Sequence, residues 1–212
     1  MPLFAFKGIK VGLHWSFIAL PAYIIFTSLG DGQSWSVIGT ELAMVGIVFL
    51  CVVLHEFGHA LTAKRYGVGT RDIVLLPIGG VASLERMPEI PKQEFWITLA
   101  GPLVNLAIAL LAVAVMAVLD LTAVVTNVLL SGSMLDSLLA FVFAANIGLF
   151  LFNLVPAFPM DGGRLLRSLL AMRMRREKAT RIATTIGRIL AVGFIGYAIY
   201  RGQPFMAIIC LF

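Results

Sequence analysis

The stretch LAMVGIVFLCVVLHEFGHALTAKR, residues 42 to 65, places two histidines and a glutamate directly after an apolar run. The run before His55 carries no charge, and with its continuation it is long enough to cross the roughly 30 Å hydrocarbon core of a bilayer. Ionisable side chains inside a membrane helix are costly unless they have partners, and they usually mark function. His55, Glu56 and His59 therefore indicate a functional site within a membrane-spanning helix.

The composition of the whole chain is that of a membrane protein. Of its 212 residues, 60% are hydrophobic and 13% are charged, about half of the ~25% charged residues that soluble domains carry. The predicted fold is an all-α polytopic membrane protein of about six transmembrane helices, and the fourth helix is broken. The six predicted segments are about 13–30, 37–66, 94–119, 134–171, 180–200 and an incomplete one from Pro204. The first segment lacks a signal-peptide cleavage site, so we expect it to be retained.

The distribution of basic residues predicts the orientation of the chain. Lysines and arginines cluster before the first segment, between the second and third, and between the fourth and fifth, whereas the opposite side holds only Arg201. The positive-inside rule therefore places the N-terminus in the cytoplasm. This asymmetry accounts for the net charge of +5, and we predict no nucleic-acid partner. The basic stretch RMRREKATR, residues 173 to 181, could also contact anionic lipid headgroups.

The connection between the second and third segments has the pattern of a small β-hairpin. It reads VGTRDIVLLPIGGVASLERMPEIP, residues 68 to 91, in which two short runs flank a Pro-x-Gly-Gly turn. Sheet edges cannot face lipid, so we expect this insertion to lie at the membrane surface or against protein.

The motif HEFGH has the spacing of a zinc hydrolase site. Residues four apart lie on one face of a helix, so His55 and His59 can bind one metal ion. Glu56 lies about 100° round the helix, within reach of a water molecule whose pKa the metal lowers to about 7. The pattern predicts Glu56 as a general base. Cys51 shares the histidine face and could be a soft ligand, although simple packing is the favoured interpretation.

A catalytic zinc ion usually has a third protein ligand and one open position. The remaining histidine is His14, but Asp161 in NLVPAFPMDGGR, residues 153 to 164, is the better candidate. Prolines and glycines break the helix there, and broken helix at membrane depth survives only where it lines a cavity or is buried in protein. The alternative is that Asp161 caps the following helix, which is compatible with ligation. The distance from His55 to Lys64 is about 13 Å of helix. The histidine pair and Asp161 are therefore both expected near the cytoplasmic side.

These motifs together resemble the site-2 protease family of intramembrane metalloproteases. HEFGH is followed about 100 residues later by the pattern N-x-x-P-x-x-P-x-D-G, which begins at Asn153. LPIGGVASLE is similar to the glycine-rich loop of that family, and AGPLVN, residues 100 to 105, is similar to its third-span motif. The resemblance covers about residues 40 to 170. Met160 departs from the pattern, where leucine is commoner.

The resemblance implies a zinc protease that cuts transmembrane protein substrates near the cytoplasmic side. It implies one Zn²⁺ bound by His55, His59 and Asp161. Glu56 would be the general base. Asn153 would position or stabilise the reacting carbonyl, and Asn105 is a weaker candidate for the same role. We expect residues 1–212 to form a single protease domain in the cell membrane. The similar subgroup usually continues into paired CBS modules, and we expect any such regulatory domain to lie outside residues 1–212.

The alternative function is a divalent-metal transporter or channel. Transporters need ligands spread across the bilayer, often within inverted repeats. The predicted ligands gather near one side, and the sequence has no internal repeat. Membrane lipid and a transmembrane protein substrate are the expected partners.

Overall fold

The computed structural model describes residues 2–77, 79–86, 88–118 and 134–202. The strands are β1 (Pro2–Phe6), β2 (Ile9–Leu13), β3 (Thr70–Leu76) and β4 (Gly79–Leu84). A short 3-10 helix, Trp15–Ile18, precedes the α-helices. These are α1 (Ala19–Gly30), α2 (Trp35–Arg65), α3 (Pro91–Val118), α4 (Met134–Asn153), α5 (Asp161–Ala171) and α6 (Arg176–Tyr200).

In the part of the chain that the structure describes, three helices are long and apolar enough to cross a membrane, namely α2, α3 and α6. Two shorter apolar helices, Trp15–Gly30 and Leu138–Asn153, accompany them. Large apolar side chains such as Phe26 and Val118 stay 79% and 85% exposed, as expected of helix faces that contact lipid. A mostly helical membrane protein is thus confirmed. The count of six spans stays a prediction, and the segment from Pro204 lies outside the described residues.

The chain forms two compact units. The first comprises Met1–Met87 and Ala100–Phe150, and the second comprises Pro88–Leu99 and Leu151–Phe212. The first unit contains the sheet, α1, α2 and most of α3 and α4. The second contains the start of α3, the end of α4, and α5 and α6.

The sheet of the first unit is larger than the sequence predicted. The expected hairpin is present as β3 and β4, which pair antiparallel. It is joined by β2, parallel to β3, and by β1, antiparallel to β2, in the order β1-β2-β3-β4. Lys7 and Gly8 connect β1 to β2 with φ angles of 51° and 88°, the two positive values of a two-residue type I′ turn. The sequence predicted no strand in these residues, which precede the first membrane segment.

One face of the sheet packs against α2 and forms the core of the first unit. Alternate residues of a strand point to the same face, and Val11 and Ile73 on this face are completely buried. They join a cluster of apolar side chains from both elements: Ile9, Leu75, Val52, Val53, Phe57 and Ala60. The members of this cluster that belong to α2 lie within or beside the HEFGH motif. The sheet therefore holds that part of α2 in place.

The predicted break in the fourth membrane segment lies in the second unit. Helix α4 ends at Asn153, and α5 begins at Asp161. The glycines after Asp161 pack against the broken backbone: a Cβ on Gly162 would collide with the carbonyl oxygens of Leu154 and Val155. A Cβ on Gly163 would lie 2.8 Å from the carbonyl carbon of Ala157. The glycine pair therefore lets α5 start directly against the turn that precedes it.

Candidate metal centre

The two histidines of HEFGH face each other on the buried side of α2. His55 and His59 are 5% and 6% exposed, and their Nε2 atoms lie 3.0 Å apart. Two nitrogen ligands at about 2.0–2.1 Å from a tetrahedral zinc ion are separated by roughly 3.3 Å. The imidazole pair is therefore already close to the arrangement that one zinc ion needs.

A hydrogen bond fixes the proton of His55. Its Nδ1 lies 3.0 Å from Oδ1 of Asn105, a completely buried residue of α3. An amide oxygen only accepts hydrogen bonds, so Nδ1 is the donor and carries the proton. The Nε2 atom of His55 then keeps its lone pair on the side that faces His59, where a metal ligand must have it.

Two glycines allow α3 to approach this face of α2. A Cβ on Gly101 would lie 2.7 Å from Nε2 of His55 and closer still to the imidazole of His59. A Cβ on Gly58 of α2 would lie 2.7 Å from the carbonyl oxygen of Ala100. A methyl group at position 101 would therefore fill the space in front of both Nε2 atoms. This is the structural reason for the glycine of the AGPLVN motif.

Glu56 lies beside the sheet. Its side chain is buried, and a Cβ on Gly80 would stand 2.9 Å from Cγ of Glu56 and 2.9 Å from Cγ1 of Val52. Gly80 belongs to β4, an outer strand of the sheet. The missing side chain at Gly80 therefore lets this strand run directly against the predicted base.

Cys51 packs against an asparagine that sequence reasoning missed. The Nδ2 atom of Asn146 in α4 donates to Sγ of Cys51 over 3.2 Å and to the carbonyl oxygen of Val142 over 2.8 Å. Both side chains are buried. The contact favours the interpretation that Cys51 packs. The sequence does contain a signal for Asn146, because it is a lone amide in the apolar run FVFAANIGLFLF.

Asp161 is the first residue of α5 and is buried. The N-cap is Met160, which makes no side-chain capping bond, so Asp161 lies in the first turn rather than at the cap. A carboxylate in the first turn is favoured by the helix dipole. His55, His59 and Asp161 are thus all buried, and all carry side chains of metal-binding type. Asn153, the last residue of α4, is half-buried.

A buried ion cluster in the second unit fixes the helix that Asp161 begins. Glu94, whose side chain is 2% exposed, accepts hydrogen bonds from Arg167 of α5 and, over 3.2 Å, from Arg176 of α6. Arg167 also lies over the ring of Phe158, 5.7 Å from its centroid. Sequence reasoning missed this cluster, although a glutamate in the first turn of an apolar helix was a visible signal. The cluster ties α5 to the start of α3 and to α6.

Two facing imidazoles, the buried side chain of Glu56 on the same apolar helix and the amide that holds one ring make up a candidate metal centre of a membrane protein. The sequence profile of Peptidase family M50 matches residues 43–131 and 121–194. The chain belongs to peptidase family M50, and it is a membrane protein whose relatives are named zinc metalloproteases.

The similarity extends over the whole chain. A zinc metalloprotease of Methanocaldococcus jannaschii is 36% identical over 99% of this chain and 57% of its own length. The stage IV sporulation protein FB of Bacillus subtilis is 29% identical over 64% of this chain and 43% of its own length. The solved structure of the site-2 protease from M. jannaschii matches with a TM-score of 0.69 and 34% identity, covering all of this chain and 90% of that one. The chain thus spans about half the length of the curated relatives.

Proposed function

We propose that this chain is an intramembrane zinc metalloprotease that hydrolyses peptide bonds in or near the transmembrane segments of membrane-anchored proteins. The observation that carries the proposal is the pair of buried Nε2 atoms, 3.0 Å apart, with Glu56 on the same membrane helix. The names of the relatives support the same activity.

One zinc ion would be held by His55, His59 and Asp161. Two imidazoles and one carboxylate are a common ligand set of catalytic zinc, and they leave a position open for the reactants. The facing imidazoles fit this ion. Asp161, which the resemblance makes the third ligand, has a buried carboxylate and lies at the break between α4 and α5. Zinc bound there would polarise the scissile carbonyl and make water acidic enough to react near neutral pH.

The side chains around the ion would divide the remaining work. Glu56 would take a proton from the attacking water and pass it to the nitrogen of the leaving amine. Asn153, at the end of α4, is our candidate for a donor to the carbonyl oxygen as charge develops on it.

We place the site toward the cytoplasmic side of a multi-pass protein with a cytoplasmic N-terminus. Support comes from the last turn of α2, which carries Lys64 and Arg65, and from the basic residues between α5 and α6. His55 lies nine residues before Lys64, which corresponds to about 13 Å of helix. Positive charges at that end favour the cytoplasm.

A substrate helix has to unwind before its peptide bonds can react, and β4 offers an edge to receive the extended segment. Within the described residues, β4 pairs with β3 on one side only, and it runs beside Glu56. Addition of a strand to an exposed sheet edge is a common mode of peptide binding. A substrate strand paired with β4 would bring its carbonyl groups near the base.

A photo-crosslinking residue placed at Val81 of β4 should capture the substrate. The matched control position is Leu3 of β1, because it lies on the opposite edge of the same sheet and has nearly the same exposure, 52% against 51%. In a Glu56→Gln background, we expect at least about five times more substrate adduct from position 81, measured by immunoblot. Equal yields from both positions would argue against capture by β4.

The proposed function is tested by removing and restoring the metal. The purified protein in detergent is treated with a chelator and assayed on single-span reporter proteins whose transmembrane segments differ in helix stability. We expect cleavage to disappear in the metal-free protein and to return with one equivalent of zinc, whereas magnesium should not restore it. Cleavage by the metal-free protein, or zinc flux through proteoliposomes without cleavage, would contradict the proposal.

A further inference from the structure

We infer that Asn105 is a positioning residue, which orients His55 for metal binding instead of contacting the substrate carbonyl. The inference rests on the proposed function and deepens it. Three observations carry it: the hydrogen bond from His55 to Asn105, the complete burial of Asn105, and the spacing between Asn105 and Gly101.

The burial of Asn105 separates it from the reacting groups. The residue has 0% exposure, while its Oδ1 atom lies 3.0 Å from Nδ1 of His55. A side chain that stabilises a reacting carbonyl needs a donor that the substrate can reach. Within the described residues, the donor atom of Asn105, Nδ2, is buried and makes no hydrogen bond. The part of Asn105 that is engaged is its acceptor, and its partner is the predicted metal ligand.

The contact does two things for the imidazole of His55. A neutral histidine carries its proton on either ring nitrogen, and only the other nitrogen can bind a metal. The acceptor Oδ1 keeps the proton on Nδ1 and so leaves Nε2 available. It also fixes the rotation of the ring. Partners of this kind raise metal affinity in other metalloproteins, and their loss typically costs ~10–100-fold.

Helix α3 combines this contact with the clearance that the ion needs. Gly101 and Asn105 are four residues apart and therefore lie on the same face of the helix. Gly101 leaves space in front of both Nε2 atoms, and Asn105 holds the far side of the His55 ring. The amide of Asn105 provides this acceptor without adding a negative charge to the apolar interior. The spacing of the AGPLVN motif is explained by these two tasks.

The experiment compares zinc affinities by competition with a chromophoric chelator. In Asn105→Ala we expect zinc to bind ~10–100-fold more weakly, because the ring is no longer held. Asn105→Asp keeps an acceptor at the same place and should bind zinc within about threefold of the parent. Asn146→Ala is the matched control, because it removes another completely buried asparagine of the same unit that contacts Cys51 rather than His55. It should also stay within about threefold.

A second readout distinguishes positioning from general destabilisation. With cobalt in place of zinc, the visible absorption bands should shift in Asn105→Ala and stay at the parent position in Asn146→Ala. Asn105→Ser, whose shorter side chain does not reach His55, gives the same comparison should Asn105→Ala not be recovered folded. Parent-like zinc affinity and cobalt spectrum in the variants that lack the acceptor would overturn the inference and leave the proposed function intact. A parent that binds no zinc would overturn both.

Discussion

Replacing Glu56 by glutamine is expected to lower peptide-bond cleavage about 10²–10⁴-fold while the zinc content of the protein stays unchanged. General acid–base catalysis contributes a factor of this size. The glutamine amide keeps the shape of the buried side chain beside Gly80 but cannot accept the proton of water. Because Glu56 is not one of the proposed ligands, the metal should remain bound.

The measurement pairs turnover of a membrane-anchored reporter with elemental analysis of the same sample. Glu41→Gln is the matched control, because Glu41 lies on the same helix and accepts a hydrogen bond from Oγ of Ser28 over 2.7 Å. That variant should cleave within about twofold of the parent. Undiminished cleavage by Glu56→Gln would refute the assignment of the base. Loss of zinc from this variant would instead make Glu56 a ligand.

Replacing Asp161 by alanine should weaken zinc binding by at least ~100-fold and abolish cleavage at low zinc concentration. Loss of a residue that only supports a ligand costs ~10–100-fold, and loss of a ligand itself should cost no less. Titration with a chromophoric chelator measures the affinity, and the reporter assay measures cleavage.

Asp161→Asn separates ligation from a role in starting α5. Asparagine has the shape of aspartate and keeps a side-chain oxygen that accepts hydrogen bonds, but it is a poor zinc ligand. If Asp161 only stabilises the helix start, Asp161→Asn should restore both stability and zinc affinity. We expect it to restore thermal stability alone. Full zinc affinity in either variant would remove Asp161 from the ligand set.

The sequence predicted the features that depend on local chemistry. The apolar run before His55 predicted α2, and the prolines and glycines between Asn153 and Gly163 predicted the break between α4 and α5. The runs that flank Gly79 and Gly80 predicted the β3–β4 hairpin. Each of these signals lies within a single segment, where periodicity and backbone preferences act directly.

The features that sequence reasoning missed depend on contacts between distant residues. Strand β2 pairs with β3 about sixty residues later along the chain, and nothing in the N-terminal residues indicates that partner. Asn146 meets Cys51 at a separation of 95 residues, and Arg176 meets Glu94 at a separation of 82. A buried polar residue in an apolar helix indicates that some partner exists but does not identify it.

Zinc K-edge X-ray absorption of the purified protein tests the central claim, that His55, His59 and Asp161 bind one zinc ion, most directly. We predict two imidazole nitrogens at about 2.0–2.1 Å, oxygen at about 2.0–2.2 Å and no sulfur shell. In Asp161→Ala loaded at high zinc, the imidazole signal should persist while the oxygen shell changes. A sulfur shell at about 2.3 Å, which Cys51 would supply, would contradict the claim. A single imidazole in the parent would also contradict it, as would identical spectra for the parent and Asp161→Ala.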